Sequence, residues 1–179
     1  HQSLLFFQLG TYVALQIETL SADDLATLCI EFSKALDEPL QAVAASRIQI
    51  PNNADVLPEV IENVERLLKQ KTPESAVLDN STLVLFELIS NVCRHALLPQ
   101  GEFFDLFVIN QQGKVLFVVV DSGTEMPESL LSSAREHNYD FDVDIDSEIP
   151  TGGLGLPLVH SLSSRFEYRR RGQRNYAFS

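Results

Sequence analysis

Three polar side chains recur at four-residue intervals in the segment 84–98, VLFELISNVCRHALL: they are Glu87, Asn91 and His95. Residues four apart lie on one face of an α-helix, so a carboxylate, an amide and an imidazole share one stripe. Apolar residues make up most of the remaining circumference, which predicts a packed helix whose stripe faces a cleft. For this segment alone, an ordinary amphipathic helix with a narrow solvated face is the alternative.

A second motif, Asp121-Ser122-Gly123, follows the apolar run 115–120. A carboxylate at the end of a buried strand can accept a hydrogen bond from an exocyclic amine, and Gly123 would leave room for an adenine ring. A simple Asp-Ser-Gly turn explains the same residues without a ligand.

A third motif, Gly152-Gly153-Leu154-Gly155, opens an amphipathic helix, and Pro157 suits the first turn of that helix. Backbone amides at such a start can bind phosphate, because glycine allows close approach and the helix end is positive. The segment lacks the Lys-Ser/Thr of a Walker motif and does not follow a strand as a dinucleotide fingerprint does. A glycine-rich connection without a ligand is the alternative.

In this order and spacing, the three motifs resemble the N, G1 and G2 boxes of the GHKL ATP-binding fold, which gyrase, histidine kinases and MutL share. The resemblance covers about residues 46–179 and is nearest to the anti-sigma factor serine kinases, which carry His-Ala after the Asn and have a short lid. It implies ATP and Mg²⁺ as ligands. It also implies that Glu87 is the general base, that Asn91 is the Mg²⁺ ligand, and that Asp121 binds adenine.

The resemblance implies further ATP-binding positions, in the base pocket and along the phosphates. They are His95, Gly123, Met126, Gly152, Gly153, Leu154, Gly155 and Leu156. Two features depart from the family pattern. Arg174-Asn175 stands where the family often has Gly-Thr before its last strand, and residues 1–45 have no counterpart in the minimal family fold.

The resemblance implies an α+β fold, a two-layer α/β sandwich of the Bergerat type, and the pattern of strands and helices along the chain agrees with it. We expect a mixed, mostly antiparallel sheet with helices on one face. Residues 1–45 form an N-terminal β-β-α extension, and residues 46–179 form the ATP-binding kinase domain. The acidic loop NYDFDVDIDSEIP, within 127–151, lacks the Gly and Glu of an EF-hand, which favours a lid over a calcium site.

Composition limits the classes of function. The 179-residue chain has a formal net charge of -12, which disfavours nucleic-acid binding, since that binding depends on Lys and Arg. Five of its thirteen basic residues fall between 165 and 174, where we expect the exposed side of strands. The only two cysteines, Cys29 and Cys93, suit reduced thiols in the cytoplasm. No apolar run reaches the ~18 residues that span a bilayer, so no membrane segment is expected.

Together with this composition, the resemblance implies a cytoplasmic serine/threonine protein kinase of the anti-sigma type. Such a kinase would phosphorylate an antagonist protein of the anti-anti-sigma type and could also bind a sigma factor, and so control partner switching in transcription. An ATP-dependent switch module without phosphoryl transfer, or the ATPase domain of a longer signalling protein, are the alternatives. The apolar hairpin at 4–17 also makes a homodimer plausible.

Overall fold

The structure is a computed structural model whose backbone is described for residues 2–6, 13–69, 75–99, 101–136 and 155–179. The acidic loop and three of the predicted phosphate-binding residues, Gly152, Gly153 and Leu154, lie outside these ranges.

Strands of the described chain form one sheet of seven members, joined in the order β1-β2-β3-β4-β5-β7-β6. They are Gln2–Phe6 (β1), Val13–Thr19 (β2), Ala44–Pro51 (β3), Phe103–Gln111 (β4), Lys114–Asp121 (β5), Glu167–Arg171 (β6) and Arg174–Phe178 (β7). Each of the six pairings among these described strands is antiparallel. The prediction of an α+β sandwich with a mostly antiparallel sheet is confirmed, and the described strands contain no parallel pair.

The helices lie in the chain segments that connect these strands. They are Ala22–Leu36 (α1), Leu57–Lys69 (α2, after a 3-10 turn at Ala54–Val56), Ser75–His95 (α3), Glu128–Glu136 (α4) and Gly155–Leu162 (α5). Ser21 begins α1 as an N-cap, since its side chain accepts a hydrogen bond from the backbone N–H of Asp24 at 3.2 Å.

The striped helix α3 differs in extent from the predicted segment 84–98. It begins at Ser75 and ends at His95, because Leu97 adopts a left-handed φ of 52° and Pro99 follows. Its packing also differs, since Phe86 and Leu97, expected on the apolar circumference, are 40% and 77% exposed.

Two hydrophobic cores lie on opposite faces of the sheet. On one face, α2, α3 and α5 pack on inward-facing residues such as Ile48 and Leu106. On the other face, Phe32 of α1 packs among Phe107 and Phe178. Helices were predicted on one face only, but β5 is apolar on both sides, so a second layer is needed to cover it.

The N-terminal elements extend this same sheet. Strand β2 pairs with β3, and α1 makes ion pairs with the C-terminal hairpin, Arg171 with Asp37 at 2.6 Å and Arg174 with Glu31 at 3.3 Å. These two arginines of the C-terminal hairpin therefore neutralise negative charges at α1. Within the described ranges, no helix has both the length and the apolar character that a bilayer crossing requires.

Candidate functional site

The polar stripe of α3 lies at the centre of the site. Glu87 and Asn91 are half-buried, whereas His95 is exposed. The Asn91 Nδ2 atom is buried and has no hydrogen-bond partner in the described part of the chain. An unpaired buried amide nitrogen is costly, so this atom indicates a position at which a ligand would complete the hydrogen bonding.

The start of α5 meets this stripe at Glu87. A Cβ added to Gly155 would overlap Glu87 Oε2 and lie 3.1 Å from the carboxyl carbon, so any larger residue here would displace the Glu87 carboxylate. The next residue, Leu156, is buried, and α3 and α5 pack against each other. Glu87 of the first motif and Gly155, the last residue of the third motif, therefore adjoin in space.

The second motif meets the opposite end of the stripe. A Cβ on Gly123 would lie 2.6 Å from Ala96 Cβ and would overlap the Ala96 carbonyl oxygen. Thr124 donates two hydrogen bonds to α3, from its N to Ala96 O at 2.7 Å and from its Oγ1 to His95 O at 3.1 Å. Gly123 thus has a packing role that sequence reasoning did not find, namely the close approach of this loop to the end of α3.

Asp121 ends β5 and is 9% exposed. Its Oδ1 accepts hydrogen bonds from the Gly123 backbone N–H and from Asn175 Nδ2, each at 2.8 Å. Burial raises the pKa of the Asp121 carboxyl, while these two hydrogen bonds and the charge of Arg170 lower it. A buried carboxylate fixed by donors on one oxygen is suited to recognising a hydrogen-bond donor with the other.

Two residues of this cluster, Asn175 and Arg170, were not predicted as site residues. Asn175 faces Asp121 because strands β5 and β7 pair in the register Asp121 with Asn175. Arg170 Nη1 donates to Asn175 Oδ1 at 2.6 Å and to Gly123 O at 3.0 Å. The sequence feature that could have indicated Asn175 is the departure from the family pattern, in which Arg174-Asn175 replaces Gly-Thr.

Met126 lies beside a small cavity of about 460 Å³ between its loop, α4 and β6. Its backbone N–H donates to the Tyr168 hydroxyl at 2.9 Å, which ties the loop to β6. Burial raises the pKa of that Tyr168 hydroxyl. A larger cavity of about 1000 Å³ lies at the other end of β5, around Lys114 and Ser179, away from Asp121.

The donor set of the site suits Mg²⁺ bound together with phosphate. No cluster of three His, Cys, Asp or Glu side chains occurs in the part of the chain that the structure describes. Mg²⁺ commonly takes one or two protein oxygens and completes its octahedron with water and phosphate oxygens. Asn91 offers one such amide oxygen, and its unpaired nitrogen is a donor that a phosphate oxygen, but not the cation itself, could accept from.

In this α+β sandwich, Gly155 and the loop after Asp121 both contact the α3 segment that carries the polar stripe, an arrangement suited to a nucleotide-binding class of domain. Comparison with protein families agrees, since residues 50–177 match the histidine kinase-like ATPase domain. The chain therefore belongs to the histidine kinase-like ATPase family and is an ATP-binding domain of the kinase and ATPase type. Comparison with curated proteins gives no match.

Proposed function

We propose that this domain is an anti-sigma-type protein kinase that transfers the γ-phosphoryl group of ATP to a serine or threonine of an antagonist protein. The observation that carries the proposal is the position of the Glu87 carboxylate, directly beside the first residue of α5. A general base must lie within reach of the hydroxyl that it deprotonates. At this position, Glu87 would adjoin phosphates bound at the start of α5.

The proposed mechanism assigns each residue of α3 a distinct task. Glu87 accepts the proton of the substrate hydroxyl as oxygen attacks the γ-phosphorus and ADP leaves with the bridging oxygen. Asn91, about 6 Å further along the helix axis, would hold Mg²⁺ through its amide oxygen. When bound, Mg²⁺ neutralises charge on the phosphates. Backbone N–H groups at the start of α5 donate to phosphate oxygens, and Asp121 accepts from the adenine amine.

The anti-sigma assignment rests on the resemblance of Glu87, Asn91 and the His95-Ala96 pair to that branch of the family. A small antagonist protein of the anti-anti-sigma type, and possibly a sigma factor, are its proposed partners. The two free cysteines, Cys29 and Cys93, suit the reducing cytoplasm in which we propose that it acts.

A proposed homodimer would use β1, which lies at the edge of the sheet. An edge strand offers unpaired backbone groups to a strand of a second copy. Sedimentation equilibrium should then give twice the mass of one chain. If the chain sediments as a monomer at high concentration, the homodimer proposal is wrong.

Phosphoryl transfer from radiolabelled ATP to candidate antagonist proteins tests the kinase proposal. Glu87→Ala should keep Mg²⁺-dependent ATP binding and lose transfer, whereas Asn91→Ala should weaken the binding itself. Glu62→Ala is the matched control, because Glu62 is an exposed acid of α2 that pairs with Arg66. Equal transfer by Glu87→Ala would remove the base from the mechanism, and ATP binding without transfer to any antagonist would favour a switch module.

A further inference from the structure

The amide of Asn175 is saturated by its neighbours. Its Nδ2 donates to Asp121 Oδ1 at 2.8 Å, to Thr124 O at 3.0 Å and to Gly123 O at 3.3 Å. Its Oδ1 accepts from Arg170 Nη1 at 2.6 Å. Because Asn175 is only 1% exposed and both of its N–H hydrogens are used, its amide holds other groups of the protein rather than a ligand.

The partners of Asn175 also fix the direction of its amide. Arg170 can only donate, so it must face the amide oxygen, and the Asp121 carboxylate can only accept, so it must face the nitrogen. Rotating the amide by a half-turn would create repulsion at both ends. The fixed amide in turn holds Asp121 by Oδ1, and in the described part of the chain no donor contacts Oδ2.

We propose that Arg170 and Asn175 are positioning residues that hold the Asp121 carboxylate with Oδ2 turned to the 6-amino group of the base, and thereby set the preference for adenine over guanine. This inference rests on the proposed adenine-binding role of Asp121. Adenine presents an amine donor where guanine presents the acceptor O6. A fixed carboxylate attracts the former and repels the latter, whereas a carboxylate that is free to turn discriminates less.

The charged and polar groups around the Asp121 carboxylate support these positioning roles of Arg170 and Asn175. Arg170 and Tyr168 face it from β6, Glu125 lies 4.0 Å from the Arg170 guanidinium, and α3 contributes the backbone carbonyls of residues 95 and 96. Burial raises the pKa of Asp121, and Asn175 and Arg170 both lower it. Removing either residue should therefore raise that pKa further, so that the carboxyl is protonated at higher pH.

The test measures ADP and GDP dissociation constants of the full chain with Mg²⁺, by calorimetry across the pH range in which carboxyl groups titrate. Asn175→Ala and Arg170→Met should each reduce the preference for ADP over GDP about tenfold, the loss expected for a hydrogen bond to a charged group. Their ADP affinity should also fall on acidification at a higher pH than that of the wild type. Arg170→Lys, which keeps a charge and a donor, should recover part of the preference.

Arg171→Met is the matched control, because Arg171 adjoins Arg170 in β6 but pairs with Asp37, the residue that caps the C-terminal end of α1. It should leave both affinities unchanged. Equal weakening of ADP and GDP binding with an unshifted pH profile would mean a purely structural role and overturn the inference. If Asn175→Ala fails to fold, the inference is tested with Arg170→Met alone. The Arg170 side chain is 22% exposed, so replacing it disturbs the core less. A wild-type chain that binds neither nucleotide would instead overturn the nucleotide site.

Discussion

The Asp121 carboxyl occupies a buried position that opposes its ionisation. Burial raises its pKa above the usual value, although Asn175, Gly123 and Arg170 offset part of that effect. A carboxyl whose pKa is raised by folding binds its proton more tightly in the folded state than in the unfolded chain. Stability therefore falls as the pH rises through the folded-state pKa, and the ionised group lowers stability at neutral pH.

Asp121→Asn should therefore raise the thermal midpoint at neutral pH while it weakens ADP binding about tenfold or more. The amide oxygen would keep the donors Asn175 and Gly123, so the amide nitrogen would face the adenine amine and repel it. Guanine O6 would accept from that nitrogen, so GDP affinity should rise relative to ADP. Calorimetry and thermal unfolding at several pH values measure both effects.

Asp105→Asn is the control for Asp121→Asn, because Asp105 pairs with Arg47 through two hydrogen bonds of 2.9 Å. It should lower the thermal midpoint and leave nucleotide affinity unchanged. The stability gain of Asp121→Asn should also vanish as the pH falls through the titration of the carboxyl. Unchanged ADP affinity in Asp121→Asn would contradict the adenine assignment.

At the scale of elements, the sequence predicted what depends on local spacing. The stripe on α3 follows from helical periodicity, which requires no knowledge of the rest of the fold. The contact between Asn175 and Asp121 depends on β7 lying beside β5, a neighbour relation that local patterns do not determine. The position of α1 on the second face likewise depends on the whole sheet, so it was not predicted.

The C-terminal end of α3 carries backbone strain at Leu97. This residue has a φ of 52° and is 77% exposed, so a left-handed conformation is imposed on a side chain with few contacts. Leu97→Gly should stabilise the fold by about 0.5–1 kcal/mol, the strain relieved less the entropy that glycine adds to the unfolded chain. Thermal or urea unfolding measures the gain.

Leu97→Ala separates strain from exposure, because alanine removes the apolar side chain and keeps the left-handed backbone. It should give little or no gain in the free energy of unfolding. A gain for Leu97→Ala equal to that for Leu97→Gly would show that exposure of the leucine, rather than its φ, lowers stability.

At the scale of the whole molecule, α1 is bound to the sheet both by charge and by an aromatic core. Phe32 contacts Phe107, Tyr176 and Phe178 edge-on, with ring centroids 5.2 to 6.0 Å apart. The ion pairs at its margin are exposed, and such pairs contribute about 0–1 kcal/mol each. Burial of the aromatic rings should therefore dominate the attachment of α1.

Tyr176 links this core to the nucleotide site. Its hydroxyl donates to Glu31 of α1 at 2.9 Å, and it follows Asn175 directly in β7, with its side chain on the opposite face of the strand. Disrupting the packing of α1 should therefore displace Asn175 through strand β7. We expect α1 to unfold together with the ATP-binding domain rather than before it.

Phe32→Ala tests this coupling, because it should lower the free energy of unfolding of the entire chain by about 3–5 kcal/mol, the range for a buried phenylalanine. The chain should still unfold in one transition, with far-UV circular dichroism and bound-ADP signals lost together. Ile30→Ala, at a 57% exposed position of the same helix, should change stability by less than about 0.5 kcal/mol. An early transition that removes α1 and leaves ADP bound would instead show that residues 1–45 fold as a separate unit.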